Sequence, residues 1–379
     1  MKRWCVLASC LMFWVSSGFS QDVTVEKVNI SSSFKGRIPL SISHLLGQRR
    51  KPPFPTNSYE LVELTLANHT PETKTVELTL ELVGLGQASS KTVVIKPNES
   101  VKVEASPIIE PRLIQDIVDE RIGKLKIEVE EGSERVYSDT KDVTLLGKDD
   151  VPFCSYDDKG RARPARFLWV TRVQPKSPLV DAVLSAASQR WGLQLRKGLI
   201  GSGGSMDVKQ MKEDIRKIYK TIQAMNFTYL ATPISFDADF QRVKTASEAL
   251  ATKSGNCIDG TCVFASCITA IGYEAIIAMP PGHAFVIAAL PPADNARSRH
   301  DRLAIFYPSK LSPSAMLSMV YPSYIPIETT VLQLRPGLTR ATFEEAEQIG
   351  QDKLVQNKQI TFIDVGAWRE AGFIPFPED

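Results

Sequence analysis

Gly255-Asn256-Cys257-Ile258-Asp259-Gly260-Thr261-Cys262-Val263-Phe264-Ala265, with Gly282-His283-Ala284-Phe285 further along, is the stretch on which the reading of this chain turns. From Cys257 onward, Val263, Phe264, Cys267, Ile268 and Ile271 recur at helical spacing and Gly272 supplies a stop, so a helix is expected over 257–271. Cys257 then lies in or near the first turn. There the positive end of the helix dipole and unpaired N–H groups favour a thiolate and can hold an oxyanion. Cys267 falls on the apolar seam and reads as structural; Cys262 sits off it. Residues 274–279 read as a strand, Pro280-Pro281-Gly282 as a turn and 283–290 as a second strand, a hairpin that returns His283 to the sheet edge facing Cys257. Singly, each would pass for a core cysteine or a strand histidine. In this order, in a chain with only 4 histidines, they are the parts of a nucleophilic cysteine enzyme.

Upstream of the cysteine, helices are expected over 178–191 and 207–225, the second with Ile215, Ile218, Tyr219, Ile222 and Met225 on one face. Phe167-Leu168-Trp169-Val170-Thr171 reads as a strand. Gly201-Ser202-Gly203-Gly204-Ser205 is a flexible loop, since no Lys-Ser/Thr pair follows it to hold a phosphate. Before residue 165 the composition changes. Residues 59–66 and 75–82 alternate apolar with polar, shorter runs follow at 92–95, 101–105, 125–130 and 143–146, and polar turns separate them. Such a series of short strands predicts an immunoglobulin-like β-sandwich over 21–147. A polar linker is expected over 148–164 and an α+β domain over 165–379, whose C-terminal extension carries a helix at 344–354 and an apolar run at 360–365. Trp169, Trp191 and Trp368 read as core.

The length of 379 residues favours more than one core, and 43% apolar and 23% charged residues are ordinary for a globular chain. Residues 1–20 differ: Lys2 and Arg3 precede an apolar run over 4–15 and the small residues Ser16-Ser17-Gly18, the plan of a signal peptide cleaved near Ser20 and Gln21. The run is too short to span a bilayer, and lipid anchoring at Cys10 would leave it shorter still. The expected location is secreted or periplasmic. Loss of Lys2 and Arg3 takes the formal charge from +2 to zero, so no basic excess exists to draw nucleic acid or anionic lipid. Cys154, Cys257, Cys262 and Cys267 remain. Their spacing matches no zinc pattern, so neither metal nor cofactor is expected, although an oxidising compartment permits a disulfide such as Cys154 with Cys257.

The combination of Gly-x-Cys-x-Asp, the pair Phe264-Ala265, the step Gly272-Tyr273-Glu274-Ala275 and then Gly-His-Ala-Phe resembles the transglutaminase-like superfamily of bacterial papain-fold proteins, over roughly residues 219–332. Gln241-Arg242-Val243, Ala249-Leu250 and Lys253-Ser254-Gly255 look like the family's approach to the cysteine. The resemblance implies a third member, an acid on the strand after the histidine, between an aromatic and a threonine. Tyr324-Ile325-Pro326-Ile327-Glu328-Thr329-Thr330 supplies Glu328 where Asp is commoner, and its carboxylate would orient the imidazole. The step from His283 to Glu328 is longer than the family's, implying an inserted loop that also holds the alternative acid Asp301. Asp259 reads as a first-turn cap. Tyr229 and Gln241 are the oxyanion candidates by position. The implied protein is an exported, papain-like α+β cysteine enzyme with the triad Cys257, His283 and Glu328. It would act on a protein or peptide amide, by hydrolysis rather than cross-linking. The rival is a non-catalytic binding or scaffold protein that recognises a surface or extracellular partner.

Overall fold

Alternating apolar residues at the N-terminal end build strands whose inner faces share a core. A computed structural model describes residues 22–48, 59–194, 207–230, 239–290, 311–334, 337 and 339–378. The first strands are β1 (Val23–Ile30), β2 (Arg37–Pro39), β3 (Val62–Asn68), β4 (Lys74–Leu82), β5 (Gly86–Gln87), β6 (Ser89–Ile95), β7 (Ser100–Ala105), β8 (Ile108–Ile109), β9 (Arg121–Glu131) and β10 (Glu134–Leu146). β1, β3 and β7 form one antiparallel sheet; β2, β10, β9, β4 and β6, in that order, form a second, with only the β2–β10 pair parallel. Leu64 and Leu66 of the first sheet and Val76, Leu78, Leu80, Ile127 and Val129 of the second are buried in one cluster. The period-two pattern therefore does its usual work: one face of each sheet is dry and the two dry faces meet.

The segment 148–164, expected as a polar linker, instead carries β11 (Asp150–Pro152), β12 (Cys154–Tyr156) and β13 (Ala162–Pro164). After β14 (Thr228–Tyr229), β15 (Phe240–Arg242) returns to pair with β11. Lys148 and Asp149 are buried here, paired with each other, and Lys148 also bonds Glu248. The fully buried Arg172 donates to the carbonyls of Ser41 at 3.0 Å and Lys148 at 2.7 Å. Polar composition misled because these charges are satisfied by one another and not by solvent. The strand expected at 167–171 is a 3₁₀ helix, Arg166–Arg172, with Leu168, Trp169 and Val170 buried; an apolar run buried all round has no period to read.

The C-terminal part holds α1 (Pro178–Trp191), α2 (Val208–Ala224), α3 (Ala246–Thr252), α4 (Cys257–Ala270), α5 (Pro313–Val320), α6 (Phe343–Gln356) and α7 (Val365–Glu370). Its strands are β16 (Ser254–Gly255), β17 (Glu274–Met279), β18 (Phe285–Ala289), β19 (Tyr324–Ile327) and β20 (Thr361–Asp364). The last four make an antiparallel sheet in the order β19, β18, β17, β20. α4 lies against β17 and β18, and every residue from Cys257 to Ile268 is buried. The seam read from its spacing is only part of that contact, since Cys262 is as buried as Cys267. Trp169 and Trp368 are core residues; Trp191, at the end of α1, is 40% exposed.

The chain is thus mixed α and β and multidomain, β-rich at the N-terminal end, with helices and strands together at the other. The cores exchange residues: Phe34, Ile42, Leu45 and Tyr59 join the cluster around α4, and Phe376 joins the cluster between the two sheets. Among the described residues no helix is long and apolar enough to cross a membrane.

Candidate active site

Cys257 is the first residue of α4, and its neighbours fix that start. Asn256, extended at the N-cap, accepts from the N–H groups of Ile258 at 3.0 Å and Asp259 at 3.1 Å. Asp259 closes the capping box, accepting from the Asn256 N–H at 2.9 Å and from the Lys244 N–H at 2.9 Å. A Cβ on Gly255 would stand 2.5 Å from the Asp259 Cβ, so the Gly-x-Cys-x-Asp pattern is steric: the acid folds back over a residue that can have no side chain. Burial pushes the Asp259 carboxyl up to about 6, against the opposing pull of those two N–H groups. The capping role expected of Asp259 is the one its contacts give it.

The cap also narrows which N–H groups could hold an oxyanion. Of the first-turn N–H groups expected to be free, those of Ile258 and Asp259 are taken by Asn256, whereas that of Cys257 has no partner among the described residues. Cys257 itself is only 2% exposed, whereas the His283 side chain is half-buried.

His283 sits in the turn ahead of β18, its N–H donating to the Pro280 carbonyl at 3.2 Å. The strand it leads into lies inside the sheet, between β19 and β17, and begins at Phe285, two residues later than the 283–290 expected. Its Nε2 lies 2.7 Å from Glu328 Oε2, leaving Nδ1 as the ring nitrogen for the thiol. Burial alone would lower this imidazole; hydrogen bonding to Cys257 and then to Glu328 outweighs it and pushes the group up to about 9.

Glu328 follows β19 and is 2% exposed. Its N–H donates to the Ala346 carbonyl on α6 at 3.0 Å. Oε1 accepts from the Thr330 N–H at 2.9 Å and hydroxyl at 2.7 Å, and Oε2 lies 3.5 Å from Lys353 Nζ. Burial would raise this carboxyl, but the bonds from His283 and Thr330 hold it below the usual range. Two glycines permit the assembly. A Cβ on Gly350 would meet the Pro326 carbonyl carbon at 2.8 Å, so α6 lies directly on β19. A Cβ on Gly260 would meet Gln333 Nε2 at 2.7 Å and Thr329 Oγ1 at 3.2 Å, where the segment behind Glu328 crosses α4.

Cys257, His283 and Glu328 therefore come together from three separate elements. Tyr229 lies opposite Gly255 in the parallel β14–β16 pair, close to the segment that leads into Cys257, with its N–H on the Leu334 carbonyl at 3.1 Å. Gln241 is elsewhere: buried on β15 opposite Val151, its amide nitrogen donates to the Arg242 carbonyl at 3.1 Å, and no described bond links it to Cys257. Asp301 lies outside the described residues. All four cysteines from Cys154 onward are free thiols, and Cys154 donates toward Asp239 at 3.5 Å. Burial pushes Cys267 up to about 12 and Cys262 higher, which disfavours the thiolate at both. Asn256, Thr330 and Lys353 were not singled out from the sequence. An Asn just before a helix is a readable cap, and a Thr two residues after an acid is a readable local donor; Lys353 has no local signal.

No model of a known protein family matches the chain, and no curated protein matches it. Similar solved structures include a FixG-related protein from Vibrio parahaemolyticus, 11% identical over 34% of this chain and 97% of that one, with a TM-score of 0.22. A cycloisomaltooligosaccharide glucanotransferase from Paenibacillus sp. is 13% identical over 52% of this chain and 26% of that one, TM-score 0.18. A beta-glucuronidase from Bacteroides uniformis is 14% identical over 52% of this chain and 25% of that one, TM-score 0.16. Likeness at that level carries no argument about fold or chemistry.

Proposed function

We propose that this chain is a thiol-dependent acyl transferase of the transglutaminase-like kind, with a papain-like catalytic part behind an immunoglobulin-like β-sandwich, and that it hydrolyses a protein or peptide amide. The observation that carries the reading is the 2.7 Å bond between His283 and a buried Glu328, made by an imidazole that is also hydrogen-bonded to Cys257. A protonated imidazole beside a sulfur at a helix start favours the thiolate. The thiolate attacks the amide carbonyl carbon, forming a C–S bond while the Cys257 N–H holds the oxygen. The imidazolium gives its proton to the leaving nitrogen and the C–N bond breaks. Water then attacks the thioester, His283 takes its proton, and the C–S bond breaks to restore thiolate and imidazolium. Glu328 keeps the ring oriented throughout. An amine in place of water gives cross-linking by the same steps. The leader at 1–20, outside the described residues, makes an exported compartment part of this proposal.

Iodoacetamide at neutral pH tests it without knowledge of the substrate. Cys257 is expected to label about 10-fold or more faster than a free thiol, with the advantage lost in His283→Ala. Cys257→Ala is expected to abolish amide hydrolysis of a mixed peptide pool. Labelling no faster than that of an ordinary thiol leaves the binding or scaffold reading in its place.

A further inference from the structure

The Glu328 carboxylate has more partners than a simple orienting acid needs. Oε1 is filled by Thr330, while Oε2 serves both His283 Nε2 at 2.7 Å and Lys353 Nζ at 3.5 Å. Glu328 is 2% exposed and the Lys353 side chain 29%, so the ammonium reaches a buried charge from the solvent side. Its position is not that of a loose surface lysine. Ala346, Gly350 and Lys353 follow at helical spacing along α6, the face that lies on β19. Ala346 accepts the Glu328 N–H, and Gly350 lets the helix touch the Pro326 backbone. The helix is thus docked at two points that set the reach of Lys353.

We propose that Lys353 is a positioning residue that shares Glu328 Oε2 with His283 and so weakens the carboxylate's hold on the imidazolium proton. The proposal rests on the thiol-dependent reading above. A buried carboxylate with one cationic partner gives that partner its full charge. An imidazolium so stabilised is a poor acid towards a leaving nitrogen, because proton transfer works best when the donor's affinity is near the ambient pH. A second cation on the same oxygen offsets part of that charge. Among the described residues the groups tied to the pair are the Cys257 thiol from α4, Lys353 from α6, and Tyr219 from α2, whose hydroxyl is raised by burial and then by Glu345 and Glu328. Among the described residues Lys353 is the only cation besides His283 ion-paired with Glu328.

An NMR titration of the His283 ring in the full chain tests this. Lys353→Met is expected to raise the imidazole midpoint by about half a pH unit or more, and Lys353→Arg to restore it. Lys353→Gln gives the same readout should the Met variant fail to fold. An unchanged or lowered midpoint in the folded neutral variants overturns the role. Iodoacetamide labelling of the same samples separates the two readings. Fast labelling of Cys257 with no midpoint shift overturns Lys353 alone, and slow labelling of the wild type overturns the thiol chemistry on which it rests.

Discussion

His283 gains protons on folding, and that makes the site a contributor to stability as well as to chemistry. Its imidazole stands near 6.5 when free of partners and is pushed up to about 9 in the fold. The folded state therefore binds the extra proton between those values, and the stabilisation is complete below about 6.5 and lost as pH rises through 9. The shift corresponds to about 3 kcal/mol. Urea unfolding from pH 6 to 10 is expected to show wild type losing roughly that much relative to His283→Gln, whose curve lacks this slope; parallel curves would remove the coupling. At this scale the sequence was informative wherever chemistry is local. The histidine's turn, the cysteine's helix start and the acid before Thr329 and Thr330 each carry a short-range signature. Lys353 carries none, because its role depends on which face of α6 meets β19. Gln241 was chosen by position and hydrogen-bonding ability, and its strand pairs with β11 while its amide bonds the Arg242 carbonyl.

The helix and strand that bear Glu328 meet by backbone-to-backbone approach, and one glycine marks where. At Gly350 the atom a methyl group would meet belongs to the Pro326 main chain, which cannot rotate aside. Gly350→Ala is expected to lift α6 from β19 at a cost of about 1–3 kcal/mol and to slow Cys257 alkylation through displacement of Glu328, measured by urea unfolding and labelling rate. Regular periodicity was legible in these elements: α1, α2, α4 and the β17–β18 hairpin fall within a residue or two of their expected bounds. The 3₁₀ turn at Arg166–Arg172 was not, because Leu168, Trp169 and Val170 are buried together and leave no apolar-polar alternation to read. The strands of 148–164 were not, because each is only 3 residues long, too short to show a period.

Across the whole molecule, the two sheets and the α4 region are interlocked by a few long-range contacts. Phe376 is buried in the core between the sheets, stacked under the Arg172 guanidinium at 4.9 Å and edge-on to His44 at 5.3 Å. Its N–H donates to the Thr171 carbonyl at 2.7 Å and its own carbonyl accepts from Gln174 at 2.9 Å. Phe376→Ala is expected to cost about 3–5 kcal/mol and to split one thermal transition into two, as read by calorimetry. A single transition of unchanged midpoint would deny the tail this part. That the C-terminal residues finish the N-terminal core was invisible in the sequence, where the tail shows only a few aromatics and prolines.

That wedge sets the order in which the molecule can be made. His44 Nε2 bonds the Ile374 carbonyl at 3.1 Å across 330 residues of chain, so the loop to be closed is nearly the whole polypeptide. Contacts of such sequence separation are entropically late and slow the folding rate. The strands of the first sheets pair with partners much nearer in sequence, whereas the place Phe376 fills in their core is supplied from the far end of the chain. The core between the two sheets is therefore completed by a segment that lies more than 300 residues further along the chain, and its completion is entropically the costliest closure in this part of the fold.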